Sequence, residues 1–395
     1  MADNNSFCWQ RLESVADNPV WIVDDKALAE YCSRWQSLPM IALDTEFIRV
    51  DTYYPIPGLI QVADDHQCYL IDPLQVEDYS PLVELFRNQS VLKVLHAGNE
   101  DLELFLYMLG ELPQPIFDTQ IAAGFLGWGF SMGYQRIVEH ALGVKLDKGE
   151  TTSDWLQRPL TAAQEHYATL DVAYLPSLCQ MQMDELKRRG MYCWLQEETE
   201  VLLAQTPDND PDGVKYYQRF SQAWKLPVEK IAALRDLTAW RERICRQRDV
   251  PRNRVLRNQT LLEVIQAWPQ TGFELSRLPE IKPRVVRQDG DAILGFIKLA
   301  AQSALVKPPA PIVRPLSYKW NKPLKALKAQ AREKAADLQM APEILLRRKD
   351  LDALIRSEEN GNFSLPVSLS GWRKEVIGDD LLAELKTLNE KDELL

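Results

Sequence analysis

The sequence predicts an α/β domain with a mixed sheet, followed by one or two small all-α helical bundles. Three observations carry that expectation. Apolar runs of strand length alternate with helix-period segments up to about residue 205. Two breaker-rich stretches, 206–213 (Thr-Pro-Asp-Asn-Asp-Pro-Asp-Gly) and 307–315 (Lys-Pro-Pro-Ala-Pro-Ile-Val-Arg-Pro), read as linkers. After the first linker the apolar spacing is helical throughout. The expected domains are therefore 1–205, 212–300 and 312–395.

Taken in order, Trp21–Val23 reads as a short strand and Asp25–Gln36 as a helix. Met40–Phe47 is an apolar strand interrupted by Asp44 and Glu46. Side chains alternate along a strand, so these two carboxylates share a face and Thr45 points the other way. Gly58–Val62 and Cys68–Asp72 are strands joined by the turn Asp64-Asp65-His66, an antiparallel hairpin. A helix from about Pro81 to Arg87 leads to the strand Val91–Leu95. After the turn His96-Ala-Gly98, Asn99 is expected to cap a helix carrying Asp101 in its first turn. Ile116-Phe117 is a strand, and Asp118 caps the helix Thr119–Leu126. Thr161-Ala-Ala-Gln164 matches a capping box, and the helix it opens sets Tyr167 and Asp171 one turn apart on one face. Tyr216–Trp224, Val228–Gln247, Leu261–Trp268 and Asp291–Leu305 read as amphipathic helices.

Composition narrows the function. Hydrophobic residues make up 46% of the 395, and no apolar run reaches spanning length, so no membrane partner is expected. The start has neither the basic region nor the apolar stretch of a signal peptide, and Lys391–Leu395 reads as a helix tail rather than a retention signal. Six scattered cysteines without a C-x-x-C pair argue for reduced thiols and a cytoplasmic location. The four histidines lack zinc-ligand spacing. The net charge of −11 is unevenly spread: residues 1–210 carry 13 basic against 33 acidic side chains, residues 211–300 carry 17 against 10, and residues 301–395 carry 16 against 14. An acidic half needs cations or a basic companion to approach phosphate, and the middle segment supplies that companion in cis.

Four acids, Asp44, Glu46, Asp101 and Asp171, can converge only if their repulsion is offset. Two Mg²⁺ or Mn²⁺ ions about 4 Å apart would do so with hard oxygen ligands and would clamp a phosphodiester. Tyr167, one turn before Asp171, could orient the attacking water. His96 is expected to be a satisfied strand-end residue, and Asp118 either a helix cap or a support for the metal site from behind its ligands. Tyr53 and Tyr54 could stack on terminal bases or pack in a core. The arginines between Arg241 and Arg257, among them Arg243 and Arg246, form the densest basic cluster and are expected to meet phosphate.

Leu43-Asp-Thr-Glu-Phe47, His96-Ala-Gly-Asn-Glu-Asp101 and Tyr167-Ala-Thr-Leu-Asp171 resemble the three exonuclease motifs of the DEDD superfamily, in order and spacing, with tyrosine marking the DEDDy branch. Thr52-Tyr-Tyr-Pro55, Leu59-Ile-Gln61, Glu111-Leu-Pro-Gln-Pro115, Leu146-Asp-Lys148 and Ser153-Asp-Trp155 are similar to the ribonuclease D family. Leu234–Arg243, Pro251, Val255-Leu256, Leu261-Leu262, Ile265 and Pro269 resemble the helicase and RNase D C-terminal (HRDC) domain, and Ser370-Gly-Trp-Arg373 suggests a degenerate second copy. The resemblance implies an RNase H-like fold and metal-dependent release of 5′-nucleotides from RNA 3′ ends, with precursor tRNA as main substrate; no obligate protein partner is evident in the sequence. It also implies that Asp44 bridges both ions, with Glu46 and Asp171 at the water-side ion and Asp101 at the other. A proofreading-type DNA 3′ exonuclease and a non-catalytic RNA-binding module are the competing expectations.

Overall fold

The computed structural model describes residues 9–146, 149, 153–208 and 210–390. Met1 to Cys8, Asp147 and Lys148 of the Leu146–Lys148 match, and the tail from Lys391 to Leu395 lie outside the described residues. The chain forms two compact units: one of residues 1–48, 57–207 and 317–395, the other of residues 49–56 and 208–316.

The first unit runs α1 (Trp9–Ser14), β1 (Val20–Ile22), α2 (Asp25–Trp35), β2 (Met40–Ile48), β3 (Ile56–Ala63), β4 (Cys68–Ile71), α3 (Ser80–Arg87), β5 (Leu92–Leu95), α4 (Asn99–Leu109), β6 (Ile116–Asp118), α5 (Thr119–Phe125), α6 (Tyr134–Leu142), α7 (Ala162–Ala173), α8 (Leu175–Arg188) and α9 (Tyr192–Gln205). Its six strands lie in the order β1-β4-β3-β2-β5-β6. β3 and β4 pair antiparallel, with Ile60 opposite Ile71, while β1–β4, β2–β5 and β5–β6 are parallel. This is the mixed sheet the sequence predicts.

Period-two alternation decides what each sheet face buries. Ile41, Leu43, Ile60, Val62 and Ile71 point into a core with Trp35, Leu82, Phe86, Leu102 and Phe105. Fully burying each such side chain contributes about 1.5–3 kcal/mol. Leu59 and Leu70 face the other way, against Trp155, Leu160 and Ala168 of the segment that includes α7. Asp44 and Glu46 alternate with Ile41 and Leu43, so the fold directs them to the α7 side of β2.

The expected strands and helices of this unit recur within a few residues, with one correction. Asn99 is the first residue of α4 rather than its cap; Gly98 occupies the cap position, and no side chain caps there. The turn is held instead by Asp118, whose carboxylate accepts from the Ala97 and Gly98 N–H groups at 3.3 and 3.0 Å. Asp118 also caps α5, and Thr161 and Gln164 form the expected capping box.

In the second unit α10 (Val228–Arg248), α11 (Arg252–Val255), α12 (Asn258–Ala267), α13 (Gly272–Ser276) and α14 (Pro283–Val306) enclose Leu234, Leu237, Trp240, Leu261, Ile265, Ile293 and Ile297. The helix expected over Tyr216–Trp224 is two 3₁₀ turns, Tyr216–Arg219 and Ser221–Lys225. Tyr217, Phe220 and Ala223 are the buried positions, and a spacing of three suits 3.0 residues per turn. α14 starts at Pro283, earlier than expected, because proline fits a first turn and Gly290 is accommodated inside the buried face.

The chain then returns to the first unit as α15 (Asn321–Asp337), α16 (Pro342–Leu345), α17 (Arg348–Arg356) and α18 (Asp379–Glu390). Trp372 stacks on Trp194 with centroids 5.1 Å apart, Arg373 pairs with Glu198, and the Ala341 N–H donates to Gly124 O at 2.8 Å. Among the described residues no helix is long and apolar enough to cross a membrane.

Candidate active site

β2, the start of α4 and the last turn of α7 deliver four acids to one place. Oxygens of Asp44, Glu46 and Asp171 all lie within 4.8 Å of one another. Asp101 is outside that set but close enough for its charge to raise the pKa of Asp44 and Glu46 and to add to that of Asp171. Burial is the largest cause for all four. It lifts Asp44 well above the usual carboxylate range, helped by the charges of Asp101, Asp171 and Glu46. Glu46 rises to about 8, Asp171 to about 7 and Asp101 to about 6. Among the described residues no lysine or arginine pairs with any of them. A crowd of hard oxygens without a compensating side-chain cation fits divalent ions.

The Tyr167 hydroxyl lies close enough to Asp171 to oppose the upward shift of that carboxyl, which burial drives. Its ring lies 6.1 Å from that of Trp155. The backbone at Gly149 passes so near that a Cβ there would sit 1.8 Å from the Tyr167 ring. A cavity of about 360 Å³ opens beside Tyr167 and Asp171, with Glu13, Lys145, Leu146 and Tyr174 in its wall.

Two neighbours of the cluster escape sequence reasoning. Thr45 points away from Asp44 on the strand, yet its hydroxyl donates to Asp101 Oδ1 at 2.5 Å. Tyr134 donates to Leu170 O at 2.8 Å, beside Asp171, and its ring packs 5.5 Å from His96. Neither has a sequence signal, because each acts through a contact with a distant segment. Thr45→Val is expected to lower turnover by about 10- to 100-fold by leaving Asp101 unheld, with little change in melting temperature; initial-rate assays beside thermal melts check it. His96 is satisfied, with Nε2 3.0 Å from Met132 O and Nδ1 2.9 Å from Thr119 Oγ1.

The expected substrate contacts lie in the second unit. Tyr53 has the Arg246 and Arg252 guanidiniums at 5.0 and 5.2 Å from its ring, and the Tyr53 and Tyr54 N–H groups donate to Asp249. Arg241 is fully buried, donating to Leu256 O and Asn258 Oδ1. Arg246 pairs with Asp208 and Glu242, Arg248 with Asp289, Arg252 with Glu242, Arg254 with Asp51 and Arg257 with Glu280. Arg243 is exposed and forms no ion pair among the described residues. Most of the cluster's charge is thus neutralised within the unit.

A mixed sheet covered by helices, with clustered acids and a tyrosine one turn from the last, defines a 3′–5′ exonuclease. Residues 19–187 match the 3'-5' exonuclease family model and residues 231–297 the HRDC domain model. The chain is 43% identical to ribonuclease D of Pseudomonas paraeruginosa over 368 residues, 93% of this chain and 97% of that one. It is 36% identical to the Escherichia coli ribonuclease D over 366 residues, 91% and 96% of the two chains. The crystal structure of Escherichia coli RNase D, described as an exoribonuclease involved in structured RNA processing, superposes with a TM-score of 0.86 at 35% identity, covering 94% of this chain and 99% of that one. The chain belongs to the ribonuclease D family of 3′–5′ exoribonucleases.

Proposed function

We propose that the chain hydrolyses RNA from its 3′ end, releasing 5′-nucleotides, with two divalent cations, Mg²⁺ or Mn²⁺, held by Asp44, Glu46, Asp101 and Asp171. The observation that carries this reading is the approach of the Asp44, Glu46 and Asp171 oxygens to within 4.8 Å. When bound, the cations supply charge neutralisation for the attacking water and the leaving 3′ oxygen. Asp44 and Glu46, fixed on a strand whose other face is packed core, give the site a rigid floor. Thr45 orients Asp101 from behind. Tyr167, with its hydroxyl beside Asp171, aligns the water for attack. The substrates in this reading are the 3′ ends of precursor tRNA and other small RNAs, and the five free cysteines among the described residues accord with a reducing cytoplasm.

Matched RNA and DNA oligonucleotides, 5′-labelled and assayed with Mg²⁺, Mn²⁺ or chelator, test it. Stepwise shortening of RNA only with metal supports the proposal. Preference for DNA would favour a proofreading-type exonuclease, and binding without cleavage a non-catalytic module. Tyr167→Phe is expected to lower kcat by about 10²-fold through a misaligned water, while the metal concentration for half-activity stays unchanged. Steady-state kinetics across a metal titration separates the two quantities.

A further inference from the structure

The loop joining α5 to α6 carries an aromatic groove that hydrolysis does not use. Trp128 lies 5.0 Å from the His140 ring, and Phe130 is 49% exposed. With Met132, Arg136 and Glu139 they line an open cavity of about 490 Å³. Arg136 is exposed and has no ion-pair partner among the described residues.

The loop is anchored on both sides. Met132 O accepts from His96 Nε2 at 3.0 Å and Gln120 Nε2 at 2.9 Å. At its start Gly127, with φ +72°, lies so close to the 339–341 strand of chain that a Cβ would meet Gln339 O at 2.4 Å. Rigid aromatic side chains lose little conformational freedom when a planar group lies on them. A chain of contacts links the groove to the acid cluster: His96, bonded to Met132 O, packs its ring 5.5 Å from that of Tyr134, and Tyr134 donates to Leu170 O beside Asp171.

We propose that this groove is a stacking platform for the bases of single-stranded RNA upstream of the bond being cut, with Arg136 meeting a phosphate. This rests on the exoribonuclease reading. Every base offers a π-face, so stacking tolerates any sequence, as a nuclease moving along a strand requires. A protein partner fits less well, because Arg136, Glu139 and His140 put charge-bearing groups where the core of a protein interface is depleted of them.

The test combines Trp128→Ala with Phe130→Ala and reads binding of a labelled 12-mer oligoadenylate in an Asp44→Asn background, so that binding is measured without cleavage. Affinity is expected to fall about tenfold or more. With Asp44 intact, KM for the 12-mer rises by a similar factor while kcat holds, and turnover of a trinucleotide, which offers fewer bases to stack, falls less. Arg136→Ala flattens the slope of log affinity against log salt by about 0.7. Unchanged 12-mer affinity in a variant that melts like the parent overturns the proposal in favour of a protein segment. Equal loss on the trinucleotide also overturns it, by placing the effect at the acid cluster. If the parent cleaves no RNA yet 12-mer affinity still drops in the variant, the hydrolytic reading fails and the platform stands.

Discussion

Asp44→Asn is expected to abolish 3′–5′ RNA shortening, lowering turnover on the order of 10³-fold or more. A metal centre contributes several kcal/mol of charge stabilisation, and each 1.36 kcal/mol is a factor of ten in rate. Asp44 adjoins Glu46 and Asp171 and feels the charges of all three other acids, so its loss removes the residue on which the proposed ion pair depends most. The same change should stabilise the metal-free protein at pH 8, since it removes a buried carboxyl that is costly there whether it ionises among like charges or takes up a proton. A variant that is inactive and unfolded would not meet this expectation; one that is inactive and melts higher than the parent in chelator would. Single-turnover assays with thermal melts measure both.

Metal-free protein is expected to lose stability as pH rises from about 5 to 8, and Mg²⁺ or Mn²⁺ should restore it most at the alkaline end. A carboxylate with a native pKa above its unfolded value stabilises the fold only while protonated. That contribution is complete below the ordinary carboxylate range and disappears as pH climbs through about 6 for Asp101, 7 for Asp171 and 8 for Glu46, with Asp44 raised as well. Cations displace those protons, so saturating metal at pH 8 should raise the melting temperature by roughly 5 °C or more. Calorimetric titration near pH 7 in buffers of different ionisation enthalpy should register proton release on metal binding. A melting temperature that is flat with pH and indifferent to metal would show that the acids are not coupled.

Much of this was legible in the sequence wherever the signal is local. Alternation along Met40–Phe47 put Asp44 and Glu46 on one face, and the capping box at Thr161 fixed the phase of the helix that sets Tyr167 one turn from Asp171. The unread details share a cause. Asn99 looks like a cap, but the carboxylate that holds its turn comes from Asp118, nineteen residues on. Tyr216–Trp224 looks helical, but packing at a spacing of three selected 3₁₀ turns. The density of the basic cluster does not record the ion pairs that Asp208, Glu242, Asp289, Asp51 and Glu280 make with most of it.

By itself the sequence determined which side chains were candidates for the chemistry and which of them share an element, since backbone periodicity fixes direction over a few residues. Only the tertiary structure decided which elements meet. It brought Asp171 on α7 over Asp44 on β2, gave Thr45 to Asp101, returned the C-terminal helices to the first unit, and left Trp128 and Phe130 open beside Arg136. Burial and charge at such meeting points depend on segments far apart in the chain, where no local pattern records them.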